Sequence, residues 1–335
     1  MMNKCKYDET LGKGMVMADI LKTNLLVQVA RMYYEHNWSQ QHIAEEIGFS
    51  RPYVSKLINE ARECGIVEIK INDPNAAESP VEQAVRTRFG LQKVIAVPFA
   101  EDYETLLVKI AHATSRFLNT IVRENDIIGV SWGNTLYVCS LHLRVVEEFA
   151  NISVVQMCGG VSLADKYIYA SEIPKRFADA YKGTPYLLPL PALVDSIGLK
   201  EAIVRDKNIS EILEMGKKVN IGLFSVGVFG HDKTLAGAGY ISREKVDELL
   251  GKGAVGDMCS RIIDINGRIC DEGVNQRTIG IDLDELKNKK YSIAVSGGLF
   301  KAKCTYAALK GGYANVLITD EGLAKELIRL HDSAE

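Results

Sequence analysis

The chain has 335 residues, about two domains' worth, with 47% hydrophobic and 25% charged residues and a formal net charge of −3. This is ordinary globular composition: no stretch reaches the roughly 18 uninterrupted apolar residues of a membrane span, and MMNKCKYDETLGKG lacks the apolar core of a signal peptide. Residues 1–71 carry nine Lys/Arg against nine Asp/Glu, which argues against a DNA binder that works by electrostatics alone.

In chain order, Met1 to about Lys13 reads as a lead-in or variable extension. A helix is expected over Met17–His36, with Leu25, Leu26, Val29, Met32 and Tyr33 on its apolar face. The next stretch, WSQQHIAEEIGFSRPYVSKLINEARECG, reads as two short helices around a tight turn. Ser39 caps the first and Gly48 ends it; Ser50 caps the second, with Pro52 in its first turn, where no N–H is needed. Val54, Leu57, Ile58 and Ala61 recur at helical spacing as a buried stripe. The opposite face carries Arg51, Tyr53, Ser55, Lys56, Asn59 and Arg62. That pattern is a helix-turn-helix whose second helix suits a DNA major groove; the plainer reading is a helical hairpin with a solvated face. Ile66–Ile71 alternates apolar with charged residues and predicts a short strand, either a wing edge or a connector. NDPNAAESP (72–80) is a linker, giving domains of 15–71 and 81–335.

Beyond the linker, helices and strands alternate. Helices are predicted at Val81–Phe89, Tyr103–Val122, Thr135–Glu148, Ser171–Tyr181, Ser196–Arg205, Ser210–Lys218, Lys301–Leu309 and Gly322–Leu330. Strands are predicted at Val94–Pro98, Asp126–Val130, Ile152–Met157, Tyr186–Leu190, Val219–Val226, Tyr291–Val295 and Val316–Ile318. A hairpin is expected over Arg261–Cys270 around Asn266-Gly267. This order predicts an α/β fold with a doubly wound, mostly parallel sheet.

Ligands of such sheets bind beyond the carboxyl ends of the strands. Four strand ends carry small or polar residues. Gly129-Val-Ser131-Trp132-Gly133-Asn134-Thr135 runs from a strand into a helix, and its free N–H groups favour a phosphate or a cluster of hydroxyls; an ordinary capped turn reads the same way. Gln156 precedes Gly159-Gly160. Asp257 follows Gly256, where it either binds sugar hydroxyls or caps a turn. Lys301 follows Gly297-Gly298 in a first helical turn, a position that opposes the helix dipole unless an anion holds it there; a solvated lysine is the bland alternative. No Walker lysine, HExxH, GxSxG or zinc-spaced Cys/His cluster occurs, so no cofactor, metal or catalytic residue is expected. Seven single cysteines without a CxxC fit reduced thiols in a cytoplasmic protein, and Cys158 reads as a buried structural thiol.

Three stretches resemble one family: IGFSRPYVSKLINEARECGIVEI; DIIGVSWGNT with VVQMCGG; and SGGLFKAKCTYAALKGGYANVLITDEGLA with VGD before it. Together they resemble the SorC/DeoR-type sugar-binding bacterial transcriptional regulators, over about residues 20–330. The resemblance implies a winged-helix-like DNA-binding domain and an effector domain related in fold to ribose-phosphate isomerases and coenzyme A transferases. It implies operator DNA and a sugar, polyol or sugar phosphate as partners, a homodimer or homotetramer, and no membrane. On the polar face of the second helix, Arg51, Tyr53, Ser55, Lys56 and Asn59 are the expected contacts to bases and phosphates. The resemblance places effector contacts at Ser131, Gly133, Asn134, Thr135, Gln156, Asp257 and Lys301, with reversible binding because the 129–135 loop has no lysine. The alternative from another class is a sugar-phosphate isomerase or deaminase using Asp257 with Asp264 behind it, but no second paired acid or base accompanies them.

Overall fold

The computed structural model describes residues 13–67, 78–146, 149–161 and 170–334. The chain divides into two compact units, Met1–Ala77 and Glu78–Glu335.

The first unit is built on α1 (Lys13–Tyr34), α2 (Gln40–Ile47) and α3 (Arg51–Glu63). Ser39 Oγ accepts the His42 N–H, and Ser50 Oγ accepts that of Tyr53. Gly48, between the two helices, takes the left-handed φ of 72° that ends α2. Val54, Leu57, Ile58 and Ala61 of α3 are buried against Ile43 and Ala44 of α2 and Leu26, Val29 and Ala30 of α1. This is the stripe that the 3.6-residue spacing marks, and an ion pair between Lys22 and Glu60 joins α1 to α3 at its edge. Of the strand expected at Ile66–Ile71, Ile66 and Val67 are not in a strand, and the rest lies outside the described residues.

The described residues of the second unit form ten strands: β1 (Lys93–Val97), β2 (Ile127–Val130), β3 (Ser153–Gln156), β4 (Thr184–Tyr186), β5 (Ile221–Phe224), β6 (Gly227–Val228), β7 (Ala254–Met258), β8 (Arg261–Asp264), β9 (Tyr291–Val295) and β10 (Val316–Asp320). Seven form one sheet in the order β1-β10-β9-β5-β2-β3-β4, every neighbouring pair parallel. Every residue of β5 and β10 is buried, as a sheet covered on both faces requires. From β2 the chain steps outward to β3 and β4; from β5 it steps the other way to β9 and β10. Right-handed crossovers put those two sets of helices on opposite faces, so the β5–β2 junction is the topological switch point. The strands β6, β7 and β8 form a separate antiparallel sheet.

Three local expectations shift. The strand read at Tyr186–Leu190 is β4 at Thr184–Tyr186. Leu188 is buried, but both its N–H and its C=O bond to the side chain of Gln156 instead of to a strand. The helix read at Thr135–Glu148 ends at Leu141, because the Arg144 N–H goes to Ser115 Oγ and the Val146 N–H to Ala180 O; residues 147–148 lie outside the described residues. The Asn266-Gly267 turn forms, with Gly267 at φ 77°, but only a single bridge, Ile263 to Ile269, closes behind it. The main partner of β8 is β7, joined to it through the two-residue turn Cys259-Ser260.

Candidate functional site

A cavity of about 280 Å³ opens at the carboxyl ends of the parallel strands, beside the switch point. Ser131–Thr135 reach it from the end of β2, Ser225–Val228 from the end of β5, Cys158 from beyond β3, and Phe300 and Lys301 from beyond β9. The β7–β8 hairpin adds Asp257, Cys259 and Ser260. Tyr103 and Lys233 complete the wall.

Lys301 is 8% exposed. Its ammonium donates to Thr135 Oγ1 at 3.1 Å and to Ser225 Oγ at 3.2 Å. Burial lowers its pKa from the ordinary lysine value, against a weaker upward pull from nearby Cys304 and Asp257. An ammonium has three N–H donors, so two hydroxyls leave one for a ligand. Burial raises the pKa of the Tyr103 phenol on the same wall.

The helix Asn134–Leu141 starts at Gly133, whose φ of 126° and ψ of 162° no side-chain cap accompanies. Its first-turn N–H groups are therefore unmatched by the side-chain oxygen that caps α2 and α3. Ser131 Oγ and Ser260 Oγ are buried without a hydrogen-bond partner among the described residues. The wall thus combines unmatched donors, hydroxyls, one buried ammonium and one carboxylate, a set suited to binding a polyhydroxylated or anionic small molecule.

Burial raises the Asp257 carboxyl to about 6, and the ammonium of Lys301 opposes this only in part. A carboxyl raised in the folded state stabilises the fold fully below its ordinary value of 3.8, and that contribution is lost as pH rises through about 6. Asp257→Asn is therefore expected to gain on the parent between pH 4 and pH 7.5, by at most about 3 kcal/mol. Urea unfolding at pH 4, 5.5 and 7.5 checks this; a gap that stays constant with pH refutes it.

The structure brings together six of the seven effector residues named from sequence: Ser131, Gly133, Asn134, Thr135, Asp257 and Lys301. Gln156 stands apart. It is 4% exposed, and its amide donates to Cys158 O and Leu188 O and accepts from the Leu188 N–H, so it holds the backbone behind the cavity. Asp264 is likewise spent, capping the Asn266–Arg268 turn through its carboxylate. Sequence reasoning missed Tyr103, Ser225, Lys233, Cys259 and Ser260; Ser225 alone carried a signal, a serine at a strand end like Ser131.

On α3, Arg51, Tyr53, Lys56 and Asn59 are exposed and Ser55 is half-buried. Arg62, on the same side by sequence, donates from Nε to the Tyr34 hydroxyl at 2.7 Å and lies over that ring. Among the described residues no group of three His, Cys, Asp or Glu side chains could hold a metal ion, and no helix is long and apolar enough to cross a membrane.

The chain matches the Sugar-bind family model, described as "Putative sugar-binding domain", over residues 73–329. It is 38% identical to the deoxyribonucleoside regulator of Bacillus subtilis (strain 168), covering 92% of this chain and 98% of that one. It is 28% identical to the sorbitol operon regulator of Klebsiella pneumoniae, over 91% and 98% of the two chains. The crystal structure of the full-length sorbitol operon regulator SorC from Klebsiella pneumoniae superposes with a TM-score of 0.73 at 27% identity, covering 91% of this chain and 98% of that one. These relatives are regulators rather than enzymes, which removes the isomerase alternative. The chain belongs to the Sugar-bind family, the SorC/DeoR-type transcriptional regulators.

Proposed function

We propose that this regulator binds operator DNA through residues 15–71 and reversibly binds a sugar, polyol or sugar phosphate through residues 81–335, with 72–80 as the linker. Arg51, Tyr53, Ser55, Lys56 and Asn59 meet the DNA. Ser131, Gly133, Asn134, Thr135, Asp257 and Lys301 hold the effector. The observation that carries this reading is the cavity at the switch point, walled by a buried ammonium and by buried hydroxyls left without partners. Relatives named for deoxyribonucleosides and sorbitol support a polyhydroxylated effector class. The unmatched first turn at Asn134 suits a phosphate on such a molecule.

The working unit is a homodimer or homotetramer in the cytoplasm, where two or more copies of α3 are held at a fixed spacing. Effector binding shifts the oligomer between arrangements that fit the operator well or badly. Moving such an equilibrium from 1:99 to 99:1 takes about 5.5 kcal/mol of differential binding, which several subunits share. A thermal-shift screen of sugars, polyols and their phosphates tests the proposal. A ligand selective for the folded state raises the melting temperature, by about 2.7 kcal/mol of stabilisation at a hundredfold excess over its Kd. A panel in which nothing moves the melting temperature counts against the cavity as an effector site.

A further inference from the structure

The turn between β7 and β8 consists of Cys259 and Ser260, and both have left-handed backbone, φ 48° and 66°. Two-residue hairpin turns with positive φ at both positions are normally Asn-Gly or Gly-Gly, because a side chain disfavours that conformation. Here neither residue is glycine or asparagine. The strained turn delivers Ser260 to the cavity wall, where it is 1% exposed and its hydroxyl bonds to nothing among the described residues. Ser131, across from the hairpin at the end of β2, is 3% exposed, lines the same cavity and is equally unpartnered. Backbone strain and a buried, unbonded hydroxyl each oppose folding. A residue that carries both at a cavity wall is explained by a ligand that supplies the missing bond. Asp257 lies on the same hairpin, and among the described residues its carboxylate accepts no hydrogen bond. A carboxylate only accepts, and a serine hydroxyl both donates and accepts. A ligand hydroxyl, which also does both, matches this set; an aliphatic group matches none of it.

We propose that Ser260 is a specificity-determining residue for the effector, its hydroxyl bonding a ligand hydroxyl in a cradle shared with Ser131 and Asp257. This rests on the cavity being the effector site. Ser260 reads hydroxylation, so a ligand lacking the hydroxyl it bonds leaves a buried polar group unpaired and is rejected.

The test uses the full chain and the variants Ser260→Ala, Ser260→Gly and Ser131→Ala. The probes are D-glucitol, erythritol, D-ribose 5-phosphate and 2-deoxy-D-ribose 5-phosphate, each titrated by calorimetry and followed by thermal shift. Without ligand, Ser260→Ala is expected to melt no lower than the parent, since it deletes an unpaired hydroxyl. Ser260→Gly melts higher still, since glycine also relieves the left-handed turn. With the probe that binds the parent best, both Ser260 variants and Ser131→Ala lose about tenfold or more in affinity. Ser260→Ala affinity equal to the parent's overturns this inference and leaves the effector site standing. A clear fall in the unliganded melting temperature of Ser260→Ala also overturns it, because the hydroxyl then has a structural role. If no probe binds the parent, the effector-site reading fails and this inference fails with it.

Discussion

Lys301→Met is expected to abolish the effector response while leaving the unliganded fold close to its parental stability. Holding an ammonium 8% exposed costs free energy, and the lowered pKa of Lys301 records that cost. Its bonds to Thr135 and Ser225 are to neutral hydroxyls, and no ion pair closes between it and Asp257 among the described residues. Replacing such a charge by an apolar side chain of similar length is usually neutral or stabilising. The variant takes the ammonium from two hydroxyls, Thr135 and Ser225, both on the wall of an open cavity where water can bond them instead. Ligand binding responds in the opposite direction. Removing a desolvated, charge-assisted interaction costs about 3 kcal/mol, a factor of about 100 in Kd. Calorimetry with the ligand that most stabilises the parent measures this, and a parallel melt separates binding from folding. A loss under about threefold would show that Lys301 does not touch the effector. A melting temperature that collapses would make it a structural lysine.

The helix-turn-helix was legible almost to the residue, because every signal it needs is local: Ser39 and Ser50 as caps, Gly48 at the turn, and a 3.6-residue stripe. The parallel strands were legible for a related reason. A strand buried on both faces is a short apolar run, and helices separate the runs. What failed was decided by partners distant in sequence. Leu188 is as buried as a strand residue there should be, yet the amide of Gln156 takes its backbone bonds, and no local pattern announces a side chain 32 residues away. The same bonds keep Gln156 out of the cavity wall. The Cys259-Ser260 turn was invisible for the opposite reason. Its dipeptide is a poor one for a left-handed hairpin, so turn chemistry argued against it, and the stronger Asn266-Gly267 signal drew the hairpin one strand too late. Local rules are expected to break where a chain gives up stability for function.

On the DNA side, Arg51→Ala and Lys56→Ala are expected to weaken operator binding in distinguishable ways. Val54, Leu57, Ile58 and Ala61 are buried, so α3 is fixed against α1 and α2, and the exposed Arg51, Tyr53, Lys56 and Asn59 can meet a groove. Arg51 is in the first turn of α3, the end of a recognition helix that meets base edges. Its replacement should cost about 1–3 kcal/mol per bound copy and relax the sequence preference at one position of each half-site. Lys56, a turn further along, is expected to neutralise phosphate. Its replacement should weaken binding to all sequences alike and reduce the salt dependence by about one counterion per copy. Binding to an operator selected from random DNA by the parent, titrated at several salt concentrations, reads both quantities at once. Arg62→Ala is the control: that guanidinium is tied to Tyr34 within the unit, so a smaller effect is expected from a residue that looks equally available in the sequence. Affinities of Arg51→Ala and Lys56→Ala within twofold of the parent at physiological salt would remove α3 from the DNA. The contrast between the two matters because residues 1–71 are neutral overall. A neutral domain has little non-specific affinity to fall back on. On the proposed reading, the cost of removing one base-reading side chain would be multiplied by the number of copies engaged, and a ligand that changed their spacing would withdraw several such side chains from the groove together.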